Sequence, residues 1–124
     1  MANYPTAARL NDKPLQASID DVSTADQAYV APGFRGRIKR VYATIDGAIT
    51  VADAVLTIKI NGTSIGQTLT ITQSGSAAGS VFELVVDPLE TLANFDENDN
   101  IEIETDGGST TARKLSITLI LEAK

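Results

Sequence analysis

The chain has no cysteine, no histidine and no tryptophan among its 124 residues. Without cysteine there is no disulfide framework and no thiolate chemistry. Without histidine it lacks the usual general base, the usual pH switch and the commonest metal ligand. Catalytic pairs of the Ser-His and Cys-His kind are therefore excluded by composition. Aromatics are scarce, three Tyr and three Phe. No apolar run reaches the length of a membrane-crossing helix. No long amphipathic stretch is present to cross over a parallel sheet, and neither a GxxxxGK[ST] nor a GxGxxG phosphate motif occurs. The N-terminal "MANYPTAARLNDKPLQ" has no apolar h-region of a secretion signal, so the sequence reads as made and kept in a cytoplasm, or released with that cell's contents.

What is present is alternation. In "VLTIKINGTSIGQTLTIT", residues 55–72, Leu56, Ile58 and Ile60 alternate with Thr57 and Lys59. After Asn61-Gly62, Ile65, Leu69 and Ile71 alternate with Thr68, Thr70 and Thr72. Such alternation marks half-buried strands, and Asn-Gly between them predicts a hairpin with a type I′ turn. Asn61-Gly62-Thr63 also fits the N-glycosylation pattern, but positive φ at the turn is a sufficient reason for Asn-Gly.

The same reading extends along the chain. "LQASIDDVS" reads as a first strand, and "QAYVAPG" as a short one stopped by Pro32-Gly33. "FRGRIKRVYATIDG" places Val41, Ala43 and Ile45 on one face, with Tyr42 and Thr44 on the other. Ile38 is out of phase with Val41, which predicts a bulge near Lys39 or Arg40. "VFELVVD" groups Phe82, Leu84 and Val86, and "LETLANF" is the one stretch suited to a helical turn. "IEIET" and "LSITLILEAK" close the pattern, with Leu115, Ile117, Leu119 and Leu121 on one face. Val81, Val85 and Ile120 then point outward, as scattered surface apolars or as contacts for a neighbouring subunit. About eight short strands with turn signals between them predict an all-β fold, an antiparallel β-sandwich of the jelly-roll kind. Pro5 and Pro14, with no apolar period around them, predict an extended N-terminal arm over residues 1–15 ahead of a single β-sandwich domain over residues 16–124.

Charge is uneven. The net charge is −6, made of +2 over residues 1–42 and −8 over residues 43–124. An acidic body disfavours nonspecific nucleic-acid binding, which draws its affinity from phosphate contacts. The exception is Arg35, Arg37, Lys39 and Arg40, a cluster that regular strand alternation would split between two faces. It suits a solvated strand or a protein contact better than a nucleic acid. The acids sit in turns (Asp96, Glu97, Asp99, Asp106) or on the solvent side of strands (Glu83, Glu102, Glu104). No catalytic pair, cofactor site or metal site is expected from them. "DENDN", residues 96–100, has the oxygen-rich look of a calcium loop but the wrong spacing for an EF-hand: Ile101 stands where Gly is required and Gly107 where Glu is required. A turn explains it, since Asn and Asp bond their own backbone.

Taken together, "RVYATIDGAITVADAVLTIKINGTSIG", the small-residue loop "SGSAAGS" and "DNIEIETDGGSTTARKLSITLILE" resemble the capsid decoration, or cement, proteins of tailed bacteriophages. The resemblance is one of pattern: strand, Asn-Gly turn, strand, small loop, acidic turn and terminal strand. It implies a jelly-roll virion protein, not an enzyme, that docks on the outer surface of a phage head after assembly in the host cytoplasm. The implied partners are the major capsid protein and further copies of the chain, often as a trimer, with no direct nucleic-acid or membrane contact. Tyr4 and Arg9 of the arm, with Arg35, Arg37, Lys39 and Arg40, are the expected capsid contacts. The alternative is a phage fibre domain, or a receptor- or carbohydrate-binding sandwich, with a shallow groove lined by Tyr29, Tyr42 or Phe34.

Overall fold

A computed structural model describes residues 12–109 and 111–124. The alternating segments form nine strands: β1 (Asp12–Ile19), β2 (Ala25–Val30), β3 (Gly36–Ile45), β4 (Ala54–Ile60), β5 (Thr63–Ile71), β6 (Val81–Val85), the two-residue β7 (Asn94–Phe95), β8 (Ile101–Asp106) and β9 (Leu115–Ala123). A 3-10 turn, Thr91–Ala93, falls inside "LETLANF". One sheet runs β1-β9-β3-β6, with β7 also on β3; the other runs β2-β8-β4-β5. Every pairing is antiparallel. With β7 set aside, the chain changes sheet at every connection except the β4-β5 hairpin, giving two four-stranded layers, the jelly-roll arrangement.

The core is the set of inward positions. Ile38, Val41, Ala43 and Ile45 of β3 and Leu115, Ile117, Leu119 and Leu121 of β9 face Leu56 and Ile58 of β4 and Ile101 and Ile103 of β8, all buried. Complete burial of an aliphatic side chain of this size is worth roughly 1.5–3 kcal/mol against leaving it in water. Such residues hold the two layers together without staples. Phe34 and Phe95 close one end edge to face, their ring centroids 5.7 Å apart.

Two irregularities position the rest. At the hairpin, Asn61 (φ 51) and Gly62 (φ 84) take the two left-handed conformations of a type I′ turn. Farther along, Thr57 pairs with Thr68 but Lys59 with Ser64, so β5 holds two more residues than β4 over that interval. In β3, Ile38 pairs with Leu121 and Arg40 with Ile120. Lys39 is the unpaired extra residue, and this bulge lets Ile38 and Val41 both point inward.

The strand boundaries correct one expectation. Residues 12–15, assigned to the arm because of Pro14, belong to β1, where Pro14 stands opposite Ile120. Proline is tolerated there because, among the described residues, β1 is an edge strand, where every second N–H faces away from the sheet. Residues 1–11 of the expected arm, Tyr4 and Arg9 among them, lie outside the described residues.

Candidate functional site

The outer face of the β1-β9-β3-β6 sheet carries three members of the basic cluster. Regular alternation would have divided them, but the bulge corrects that expectation. With Ile38 and Val41 inward, Arg37, Lys39 and Arg40 all come out on the solvent side of β3. Each meets an acid from a neighbouring strand. Arg37 Nε donates to Glu122 Oε1 of β9 at 2.9 Å. Lys39 Nζ lies 3.1 Å from Asp12 Oδ2 of β1. Arg40 lies 3.4 Å from Glu83 of β6 and donates to the Tyr42 hydroxyl at 3.4 Å. Only Arg40–Glu83 is an exposed pair, the kind worth about 0.2–1 kcal/mol; the Arg37–Glu122 and Lys39–Asp12 pairs are partly buried. Asp12, Lys39, Arg40, Tyr42 and Ile120 line a depression of about 350 Å³. Val81 and Val85, exposed on β6, edge the same face.

Arg35 stands apart from the other three. It precedes β3 at one end of the sandwich, 3.5 Å from Asp96, beside a cleft of about 200 Å³ that Phe95, Asp99 and Lys124 help to line.

The outer face of the second sheet has a different character. The pairings set Tyr29, Glu102, Lys59 and Ser64 in one row across its four strands. The next row is Gln27, Glu104, Thr57 and Thr68. Lys59 Nζ lies 2.9 Å from Glu104 Oε1. That hydrogen bond first, then the charge of Glu104, and more weakly that of Glu102, hold the Lys59 ammonium above its ordinary pKa. Tyr29 is 61% exposed, whereas Glu102 beside it is only 6% exposed. Glu102, expected on a solvated face, is thus an outward residue with a buried stem. Its neighbours across the sheet cover it, and a period-two pattern within one strand does not reveal them.

The three aromatics named for a groove, Tyr29, Tyr42 or Phe34, do not share one, and of them Tyr42 alone lines the depression on the first sheet. Tyr29 belongs to one outer face and Tyr42 to the other, and Phe34 packs against Phe95.

The acidic turn is held by its own residues. Asp99 Oδ2 accepts from the Asp96 N–H at 2.8 Å, and Asp99 Oδ1 accepts from the Asn61 amide at 2.6 Å. Asn61 Oδ1 in turn accepts from the Asn100 N–H at 3.0 Å. The two turns thereby lock together, with the amide of the glycosylation-like triplet engaged. Among the described residues, no three His, Cys, Asp or Glu side chains come together as a metal site.

No family model and no curated protein matches the chain. Among solved structures, it is similar to the catalytic unit of a thermostable GH87 α-1,3-glucanase from Streptomyces thermodiastaticus strain HF3-3. That match has 12% identity and a TM-score of 0.52, covering 95% of this chain but only 27% of the glucanase unit. It is also similar to CsCBM6-3 from Clostridium stercorarium, solved in complex with cellobiose. There the identity is 11% and the TM-score 0.50, over 81% of this chain and 70% of that one. At such identities the likeness is one of fold: an antiparallel β-sandwich.

Proposed function

We propose that the chain is a virion structural protein, a capsid decoration protein that lies on the outer surface of a phage head and stabilises the shell. The observation that carries this reading is the bulge at Lys39, which gathers Arg37, Lys39 and Arg40 on one broad sheet face. On that face cations interleave with Asp12, Glu83 and Glu122. A mixed-charge lattice of this kind suits a protein surface of complementary pattern, here the major capsid protein. It does not suit a polyphosphate, which the same acids would repel. The acids are not arranged for catalysis in this reading, and the domain needs no cofactor.

The mechanism is physical. A domain that binds the assembled shell and not its free subunits stabilises the shell by mass action. Linking copies as a trimer makes modest single contacts strong through effective concentration. Exposed Val81 and Val85 on β6 supply apolar contact area at the border of the face.

Charge reversal tests the reading. The double variant Lys39→Glu/Arg40→Glu is expected to lose tenfold or more in occupancy on purified shells in a co-sedimentation assay. The variant Thr57→Glu, on the opposite sheet, is expected to bind as wild type. Undiminished occupancy in the double variant would remove this face from the contact.

A further inference from the structure

We propose that the outer face of the β2-β8-β4-β5 sheet is a binding platform for an uncharged, hydroxyl-rich glycan. This site is separate from the docking face and stands on its own observations.

The first is Tyr29, 61% exposed at the edge of the face, with polar residues filling the rest of its own row and all of the next. An aromatic ring open to solvent beside hydrogen-bonding groups offers an apolar surface on which a sugar ring can lie, next to partners for its hydroxyls. The second is Glu102, directly opposite Tyr29 on β8 and 6% exposed. Its charge acts on the Lys59 ammonium beside it, and no buried side-chain polar atom among the described residues is sealed off without a partner. An acceptor held in place this way loses little conformational freedom when it takes a hydrogen bond. The third is the surrounding row: Lys59, steadied by Glu104 at 2.9 Å, then Gln27, Thr57 and Thr68, which together offer donors and acceptors of both kinds.

The charge balance selects the ligand class. Glu102 and Glu104 of β8 stand against Lys59 alone in these two rows, with Asp106 in the row beyond, so uronic-acid or sulfated glycans are repelled. Free hydroxyls are suited to donate to the carboxylates. The same acids lie in successive rows, and among the described residues no three converge to hold a cation. With one aromatic platform, binding is of the weak kind that gains strength from many copies. A protein lying on a shell by its other sheet would turn this face outward.

Affinity electrophoresis of the free protein tests the site without reference to any shell. The gels carry laminarin, dextran, hydroxyethyl cellulose or galactomannan as neutral probes and alginate as the charged one. Retardation is expected in at least one neutral gel and none in alginate. Tyr29→Ala and Glu102→Gln are each expected to weaken it tenfold or more. Tyr29→Phe, which keeps the ring, should stay within about threefold of wild type, and Lys39→Glu on the other sheet should not matter. No retardation by any neutral probe would overturn the proposal. So would preference for alginate, retardation that survives both Tyr29→Ala and Glu102→Gln, or loss of binding in a Tyr29→Phe protein that melts as wild type.

Discussion

Ile38 and Val41 stand three residues apart in β3, yet both are fully buried on the same side of the sheet. An odd spacing should place them on opposite faces. Lys39, bulged out of the ladder between Leu121 and Ile120 of the partner strand, absorbs the difference. Its carbonyl stays engaged, accepting from the Val86 N–H at 3.1 Å.

Removing one residue from the middle of this central strand should therefore be tolerated only within the bulge, at Lys39 or Arg40. Deleting Lys39 leaves Ile38 inward, Arg40 outward and Val41 inward, a regular strand. That protein is expected to keep a single cooperative thermal transition. Deleting Ala43 instead reverses the facing of one part of β3 relative to the other, and the chain is expected not to fold. Circular dichroism melts of the two deletions distinguish these outcomes. Two folded proteins, or two unfolded ones, would contradict the bulge.

At the start of β3 the constraint is space. A Cβ on Gly36 would run into the Glu122 carbonyl oxygen and approach the Phe95 ring to 3.2 Å. Backbone on one side leaves no flexible atom to give way. Gly36→Ala is expected to destabilise by about 1–3 kcal/mol, read as a lowered denaturation midpoint with an unchanged slope.

Truncation separates the two parts of the expected arm. Removing residues 2–11 leaves β1 entire and is expected to leave the melt of the sandwich cooperative. Removing residues 2–14 also takes away Asp12, the partner of Lys39 at 3.1 Å, and three rungs of the β1-β9 ladder. A further loss of about 1–2 kcal/mol is expected. If docking involves Tyr4 and Arg9, the shorter deletion lowers shell occupancy while the melt holds; equal occupancy would exclude them.

The acidic turn gives a pH signature. Asp99 is held below the ordinary aspartate range, first by the Asp96 N–H and then by the Asn61 side-chain amide. A carboxyl depressed in the folded state adds stability that is complete above its unfolded pKa. That stability is lost as pH falls through the folded value, so the effect is confined to the region below about pH 4. In Asn61→Gly, which keeps the positive φ of the turn, Asp99 should titrate higher than in wild type. It should remain below the ordinary value, because the backbone donor stays. Carboxyl carbon shifts followed by NMR measure both steps.

Local pattern carried much of the fold. The hairpin was readable because Asn61 and Gly62 suit the one turn that matches strand twist, and the bulge because Ile38 and Val41 break phase. The consequence of the bulge, that Arg37, Lys39 and Arg40 share a face, needed the phase break applied to the polar residues as well. Pro14 misled because a proline signals the end of a strand only where its N–H would be paired, and edge status depends on the whole sheet. The row joining Tyr29 to Glu102 and Lys59 was not readable. It rests on strands separated by long stretches of chain, and alternation within a strand says which way a residue points but not what lies beside it.

The sheet orders also set a timetable. β9 lies between β1 and β3, and β8 between β2 and β4, so the last two strands fill interior places in both layers. Of the strand pairs among the described residues, only β4 and β5 are consecutive in the chain and able to zip together locally. A growing chain, emerging at about 5–20 residues per second, must hold its first strands with open edges for seconds until residues 101–123 arrive. Folding is then expected to be a late, all-or-none event in the millisecond-to-second class of non-local β-sandwiches. The plain Asn-Gly hairpin is the one piece of order available while the chain waits.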